Sequence, residues 1–460
     1  MLVAGHPLAA GRVERLLVKF ALPSIIAMLV GALYNIVDQI FIGRGVGMLG
    51  NAATNVAFPV FVICMSVALL MAIGGASNFN LELGRGNRAR AAQIVGGAIT
   101  FSALSGLVIM LLVQAFLEKL LLAFGATPEV LPYAVTYTRI MSLGTPFMIM
   151  SVCVGHLIRG DGSPRFSMAC NLSGALLNTV LDPIFIFKFD MGIAGAAWAT
   201  VISMLAGWLL GVFYVSTRFK SVILTKSCFV PRLGTLKQIA ALGSSACFNQ
   251  MAMMCVQVAM NNILTHYGAH SVYGGNIPLA VSGIINKVNM IFLSIVIGLA
   301  QGGQPIISFN YGAGNFARVR RTFGLTLGSS ALLSMLAFAA FQIFPREIIG
   351  LFGSGSEEYY RFAERYFRIF LFMTVINGIQ PVTANFFTSI GKAVKGFFIS
   401  LTRQILFLLP LIMIFPRVWG LDGVMYAGPL ADLSAAALAA IFITREMRGI
   451  KRLELDASKE

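Results

Sequence analysis

The chain has 460 residues, of which 57% are hydrophobic and only 11% charged; its mean hydropathy is +0.83 and its formal net charge +16. An ordinary soluble fold cannot keep that much apolar surface from water, so the composition excludes a soluble globular protein and requires a bilayer. The basic excess alone would admit a nucleic-acid partner, but its distribution along the chain removes that reading.

Apolar runs of about 20 residues, each able to cross a hydrocarbon core of roughly 30 Å, follow one another along the chain. Twelve spans are predicted, near 16–42, 52–80, 92–116, 131–157, 166–188, 194–217, 235–266, 276–300, 318–344, 360–388, 397–415 and 421–444. They divide into six plus six. Gly74-Gly75, Gly84, Gly86-Asn87 and Ala89-Arg90 recur as Gly302-Gly303, Gly312, Gly314-Asn315 and Ala317-Arg318, an offset of 228 residues, about half the chain. The same offset joins Phe124-Gly125 to Phe352-Gly353 and Gly192-Ile193-Ala194-Gly195 to Gly420-Leu421-Asp422-Gly423. An even number of spans per copy makes the repeat parallel, with its pseudo-two-fold along the membrane normal. The expected fold is an all-α polytopic membrane protein with twelve transmembrane helices in two six-helix lobes. Residues 1–217 form the N-lobe, 218–234 a polar cytoplasmic linker carrying Pro231, and 235–460 the C-lobe with its tail. The Gly-rich segments read as cytoplasmic hinges.

Arg12, Arg15 and Lys19 stand at the N-terminus, and residues 1–15 carry no signal-peptide hydrophobic region, so the first span is expected to be retained. Arg85, Arg88 and Arg90, Arg159 with Arg165, Arg218 to Lys237, Arg318 to Arg321, Lys392 with Lys395, and the tail from Arg445 to Lys459 fall on one side. The opposite loops hold Arg44, Lys119, Lys188, Arg346, Arg361 and Arg417. This asymmetry puts both termini in the cytoplasm of a cell whose inner membrane holds the protein. It explains the net charge by topology and attraction to lipid, with no nucleic-acid partner. The six cysteines form no CxxC and indicate neither disulfide framework nor zinc site. Gly45-Val46-Gly47-Met48-Leu49-Gly50 matches GxGxxG but follows no strand, no GxxxxGK[ST] occurs, and His266 and His270 lack a third ligand. No cofactor and no enzymatic activity are expected. Met251, Met253 and Met254 could form a soft surface for varied ligands.

Carboxylates within spans are costly unless paired, hydrated or protonated, and so mark function. In the first span Asp38 lies six residues before Arg44, and in the fifth Asp182 lies six before Lys188; Tyr137 and Thr200 are about six residues into the fourth and sixth. At 1.5 Å per residue all four sit roughly 9 Å below the outer surface. Asn178 shares a helix face with Asp182, one turn deeper, and Asn35 stands similarly to Asp38. Two close carboxyls in a poorly solvated site disfavour double ionisation, so the cluster could bind and release a proton; the same oxygens could instead surround sodium. Apart from sodium at Asp38, Asn178, Asp182 and Thr200, no metal site is expected. A purely structural reading stays open: Asp182, before Pro183, could satisfy groups freed by a helix break, and Thr200 and Tyr137 taken alone are better explained by bonds to backbone.

The second half differs. Val258 stands opposite Asp38, Pro410 and Leu411 opposite Asp182 and Pro183, and the charges assigned to its spans are Lys287 and Asp432, each about eleven residues from its helix's outer end. Their shared depth predicts a structural or gating ion pair, direct or through water.

Leu22-Pro23 with Asp38, Ile158-Arg159-Gly160-Asp161-Gly162, Asn178-x3-Asp182-Pro183, Gly195-Ala196-Ala197-Trp198-Ala199-Thr200, and Gln301-Gly302-x-Gln304-Pro305 running into Asn310-Tyr311-Gly312-Ala313-Gly314-Asn315 resemble the multidrug and toxic compound extrusion (MATE) family, over nearly the whole chain. Within it the chain is most similar to the bacterial branch of MepA-like and DinF-like exporters. The resemblance implies a central V-shaped cavity and alternating access driven by proton or sodium. It also implies cation coupling at Asp38, Asn178, Asp182 and Thr200 with Tyr137 close by, and a bend of the first helix at Pro23. Gly155-His156 replaces asparagines that relatives often carry, which weakens one polar contact to the cation network; the second half lacks acids for a sodium site of its own. The expected function is a monomeric cation-coupled antiporter exporting small amphipathic, cationic organic compounds. A flippase for lipid-linked precursors stays open, as, more remotely, does a membrane-embedded enzyme or receptor.

Overall fold

The structure, a computed structural model, describes residues 7–274, 276–352 and 356–457; Gly353 of the repeat and Lys459 of the tail lie outside them. The described residues are overwhelmingly helical and contain no strand. The first half runs α1 (Val13–Gly45), α2 (Met48–Gly84), α3 (Arg88–Ala123), α4 (Leu131–Gly160), α5 (Pro164–Pro183) with a π turn (Ile184–Lys188), and α6 (Gly192–Thr217). The second runs α7 (Leu233–Ala269), α8 (Asn276–Gly312), α9 (Phe316–Ile343), the short α10 (Pro345–Gly350), α11 (Glu357–Phe370), α12 (Thr374–Asn377), α13 (Ile379–Ser389), α14 (Ala393–Leu401) with a π turn (Thr402–Leu408), α15 (Leu409–Trp419) and α16 (Leu421–Ala457).

Eleven spans are long and apolar enough to cross a membrane, and α11 with the following helices adds a twelfth bent by 44°. The tenth span, expected as one helix over 360–388, is therefore broken. The bend falls at residues 371–373, between Phe370 and Thr374; a second interruption, at Gly378, follows from Pro381, which has no N–H to give the Asn377 carbonyl. In each half the fifth span relaxes through a π turn next to a proline, Pro183 in one and Pro410 in the other.

The duplication is legible in the backbone. Gly86 and Gly314 adopt φ of +83° and +75°, and the residues after them, Asn87 and Asn315, open α3 and α9 with the same φ of −80° and ψ of 65° and 64°. Gly192 and Gly420 match at φ +54° and +56°. Two further pairs, Gly47 with Gly274 and Gly162 with Gly391, share positive φ at offsets one residue away from 228, where a search at fixed offset misses them.

Most of the glycines expected to act as hinges are instead packing positions inside helices. With lipid on the alternative side, helices associate through close backbone contact, which small residues permit. A side chain at Gly74 on α2 would run into the Ile239 carbonyl of α7, and one at Gly302, its repeat partner on α8, into Ala21 of α1. On the axis itself, Gly84 abuts Phe309 while Gly312 abuts Leu81, so both residues of one contact map onto the other by the offset of 228. Of the repeated glycines in these segments, Gly86 and Gly314 make the turns.

Polar bonds line this seam. Arg159 donates to Gln301 Oε1 at 2.9 Å, Gln304 to Ser77 Oγ at 2.6 Å, and Arg90 to Gln238 Oε1 at 2.7 Å. Arg159, expected as a loop charge, is buried within it. The start of α9 holds both ends of the chain: Arg321 pairs with Glu14, Arg318 donates to the Gly11 carbonyl, and Arg320 binds Glu454 at 2.5 Å. Asp161 accepts the Tyr214 hydroxyl at 2.7 Å and the Ser221 N–H at 2.8 Å, tying the connection between halves to the end of α4. Apolar clusters sit within the first half around Ile42, Met148 and Ile186, within the second around Phe292, Phe367 and Phe387, and across the seam around Phe20, Phe79, Ile239 and Phe309.

Gly312→Val is expected to prop α2 from α8, because the obstructing atoms are backbone. Overpacking of about 2 kcal/mol shifts a two-state seam roughly 30-fold toward opening. In a Cys255→Ser background, a cysteine placed at Ser77 should then react with maleimide correspondingly faster; an unchanged rate would show that the seam tolerates the side chain.

Candidate functional site

Asp38 comes from the C-terminal part of α1, Tyr137 from α4, Asn178 and Asp182 from α5 and Thr200 from α6. Asn178 and Asp182 are one turn apart, so a single amide serves two partners: Asn178 Nδ2 donates to Asp182 Oδ1 and to Thr200 Oγ1, both at 3.2 Å. Thr200 donates onward to the Ala196 carbonyl at 3.0 Å, the backbone bond expected of a membrane threonine. The Asp38 and Asp182 carboxyls face each other within hydrogen-bonding range. Asp182 and Asn178 are 0% and 1% exposed, whereas Asp38 and Thr200 wall a cavity of about 110 Å³.

That cavity lies inside the first half, among α1, α2, α4 and α6, and Tyr137, Asn35, Thr54 and Gln39 also line it. Asn35 is at the wall, but its amide is tied to the Gly31 carbonyl at 2.7 Å. Tyr34, one turn before Asp38, faces the same cavity and was not singled out from the sequence; its i−4 spacing was the available signal.

Three buried oxygens here, Asp38 Oδ1, Asp182 Oδ2 and Asn178 Oδ1, have no hydrogen-bond donor. Each is an acceptor, on two carboxyls and an amide. Buried acceptors left without donors are costly, and a proton between the carboxyls or a hard cation that prefers such oxygens would relieve them.

The MatE family model matches residues 23–184 and 247–414, a segment in each half, and the first contains Asp38, Asn178 and Asp182. The chain belongs to the MatE family. It is 26% identical over 447 residues, 97% of this chain and 96% of the relative, to the multidrug export protein MepA of Staphylococcus aureus (strain bovine RF122 / ET3-1). The MepA of Staphylococcus haemolyticus (strain JCSC1435) is 25% identical over 440 residues, 96% and 94% of the two chains. The fold of the present chain matches, with a TM-score of 0.90 at 23% identity over 97% and 99% of the chains, the outward-facing conformation of a multidrug resistance MATE family transporter of the MOP superfamily. A MOP superfamily transporter from Pyrococcus furiosus Vc1 matches at 0.89 and 22%, over 98% of each chain.

In this MatE-family chain Pro23 lies within α1 and is buried, between Ala21 and Ile25, which touch α8. Gly155 and His156 are outside the Asp38–Asp182 cluster. They lie 18 residues along α4 from Tyr137, about 27 Å, and the Gly155 carbonyl accepts the Ser167 hydroxyl at 2.7 Å. The expected effect of this departure on the cation network is corrected accordingly.

The pairing of Lys287 with Asp432 is also corrected. Asp432, 4% exposed, is bound by Arg403 Nε at 2.5 Å, while Lys287 is exposed on α8. Shared depth placed the two at one level, but level does not specify azimuth: Arg403, in the π turn of the eleventh span, presents its guanidinium to the same interior as α16. A full charge inventory of the 397–415 run would have raised it as a third candidate. His270 Nδ1 lies 2.8 Å from the His266 carbonyl, and among the described residues no group of three metal-ligating side chains occurs.

Proposed function

We propose that this membrane protein is a cation-coupled antiporter that exports small amphipathic, cationic organic compounds by alternating access. The observation that carries the reading is the set of buried acceptors without donors on Asp38, Asp182 and Asn178 beside a cavity. The multidrug export named for its MepA relatives supports the substrate class. A proton or sodium ion entering past Asp38 and Thr200 relieves the facing carboxyls, and Asn178 and Tyr137 complete the polar surroundings. The ion drives a change of state to the extent that it binds the two states unequally. Pro23, beside the α1–α8 contact, is the place where α1 would bend, and the halves 1–217 and 235–460 would move about the glycine seam. The protein works as a monomer in the inner membrane with both termini cytoplasmic, in accord with the basic residues gathered at the seam end.

The test is dye efflux from proteoliposomes of the full chain under a pH gradient alone and then a sodium gradient alone. Export is expected under one of them and names the ion; no export under either overturns the coupling.

A further inference from the structure

We infer that Lys287 is a substrate-binding residue, taking the carboxylate of amphipathic compounds that carry both a cationic and an anionic group. This deepens the export reading and rests on it.

The face of α8 that meets α1 is marked by Gly298, against Ile25, and Gly302, against Ala21. At 100° per residue, Ala280 and Lys287 lie within about 20° of Gly298 on that face. Gly298 and Gly302 are buried, whereas Ala280 and Lys287 are exposed. The same stripe thus passes from closed seam to open space toward the outer end, so Lys287 looks into the gap between the halves rather than into the second-half core, which takes Val288, Phe292 and Val296.

The helices run antiparallel, so eleven residues outward of Gly298 on α8 is level with eleven outward of Ile25 on α1. Lys287 therefore stands opposite Ile36, between Asn35 and Gln39, both of which line the first-half cavity. It is also about 16 Å from the start of α8, inside the apolar run 276–300, and an ammonium there needs water or an anion. Among the described residues no carboxylate lies within ion-pair distance of it; Asp432 is taken by Arg403. Lys287 thus stands at the level of the carboxyl cluster but on the other face of α1, and an exported compound that carries a carboxylate beside its cationic group gives this unpartnered ammonium its anion.

The test compares a rhodamine bearing a free carboxylate with the same dye as its ethyl ester, binding being read by fluorescence anisotropy to the full chain in nanodiscs. Lys287→Met should weaken the carboxylate dye about tenfold, the loss of one charge-assisted bond, leave the ester unchanged or tighter, and be rescued by Lys287→Arg. Equal effects on both dyes, or none, would overturn the assignment while leaving export intact. Failure of the unaltered protein to bind either dye would overturn the export reading and this inference with it.

Discussion

Asp38→Asn is expected to reduce gradient-driven dye export to the level of protein-free vesicles while leaving the protein folded. The physical reason is local. An amide at position 38 offers an N–H to the Asp182 carboxyl it faces, so an acceptor that now lacks a donor becomes satisfied without any ion. The site no longer needs a proton or sodium, and a site that does not bind the ion differently in the two states transmits no drive. Because the change removes a repulsive contact and alters no volume, yield and melting temperature should stay within a few degrees of the parent. Full export by this variant would sink the coupling role; loss of export with loss of folding would indicate a structural role instead.

Arg403 and Asp432 should behave as a unit. Removing one partner of a buried ion pair strands the other charge, a loss of about 3–5 kcal/mol. Arg403→Met and Asp432→Leu singly are therefore expected to lower thermal stability severely. The double variant, which replaces both charges with apolar side chains of similar volume, should recover most of the loss. A double-mutant cycle measures that coupling. Lys287→Ala, in contrast, should combine additively with Asp432→Leu, since Lys287 is exposed and Asp432 is held by Arg403. A coupling between Lys287 and Asp432 larger than that between Arg403 and Asp432 would reverse the assignment.

Much of the fold was readable in one dimension because its determinants are one-dimensional. The thickness of a bilayer sets the length of an apolar run, so the spans could be counted, and a duplication leaves equal spacings, so the halves could be aligned. Depth along a helix is likewise a matter of counting, which is why Asp38, Asn178, Asp182 and Thr200 could be grouped before their hydrogen bonds were seen. The interruption of the tenth span at Gly378 was written in Pro381, whereas its 44° bend at 371–373 falls in an apolar stretch that carries no proline to mark it. Tyr34 escaped notice because a tyrosine in a membrane helix has many ordinary uses.

Direction around a helix and contact between distant helices are different matters. That Asp432 meets Arg403 and not Lys287 depends on the rotation of three helices about their axes, and a residue number carries depth without azimuth relative to a neighbour. The repeated glycines looked like hinges because glycine suits turns as well as close packing, and only the approach of the Ile239, Phe309 and Leu81 carbonyls distinguishes the two. The sequence by itself determined a twelve-span membrane protein made of two like halves with acids concentrated in the first, since hydropathy, length and spacing are properties of the chain. Tertiary structure decided which charges are paired, which acceptors are left without donors, and where the halves touch, because those depend on how helices turn and lean against one another.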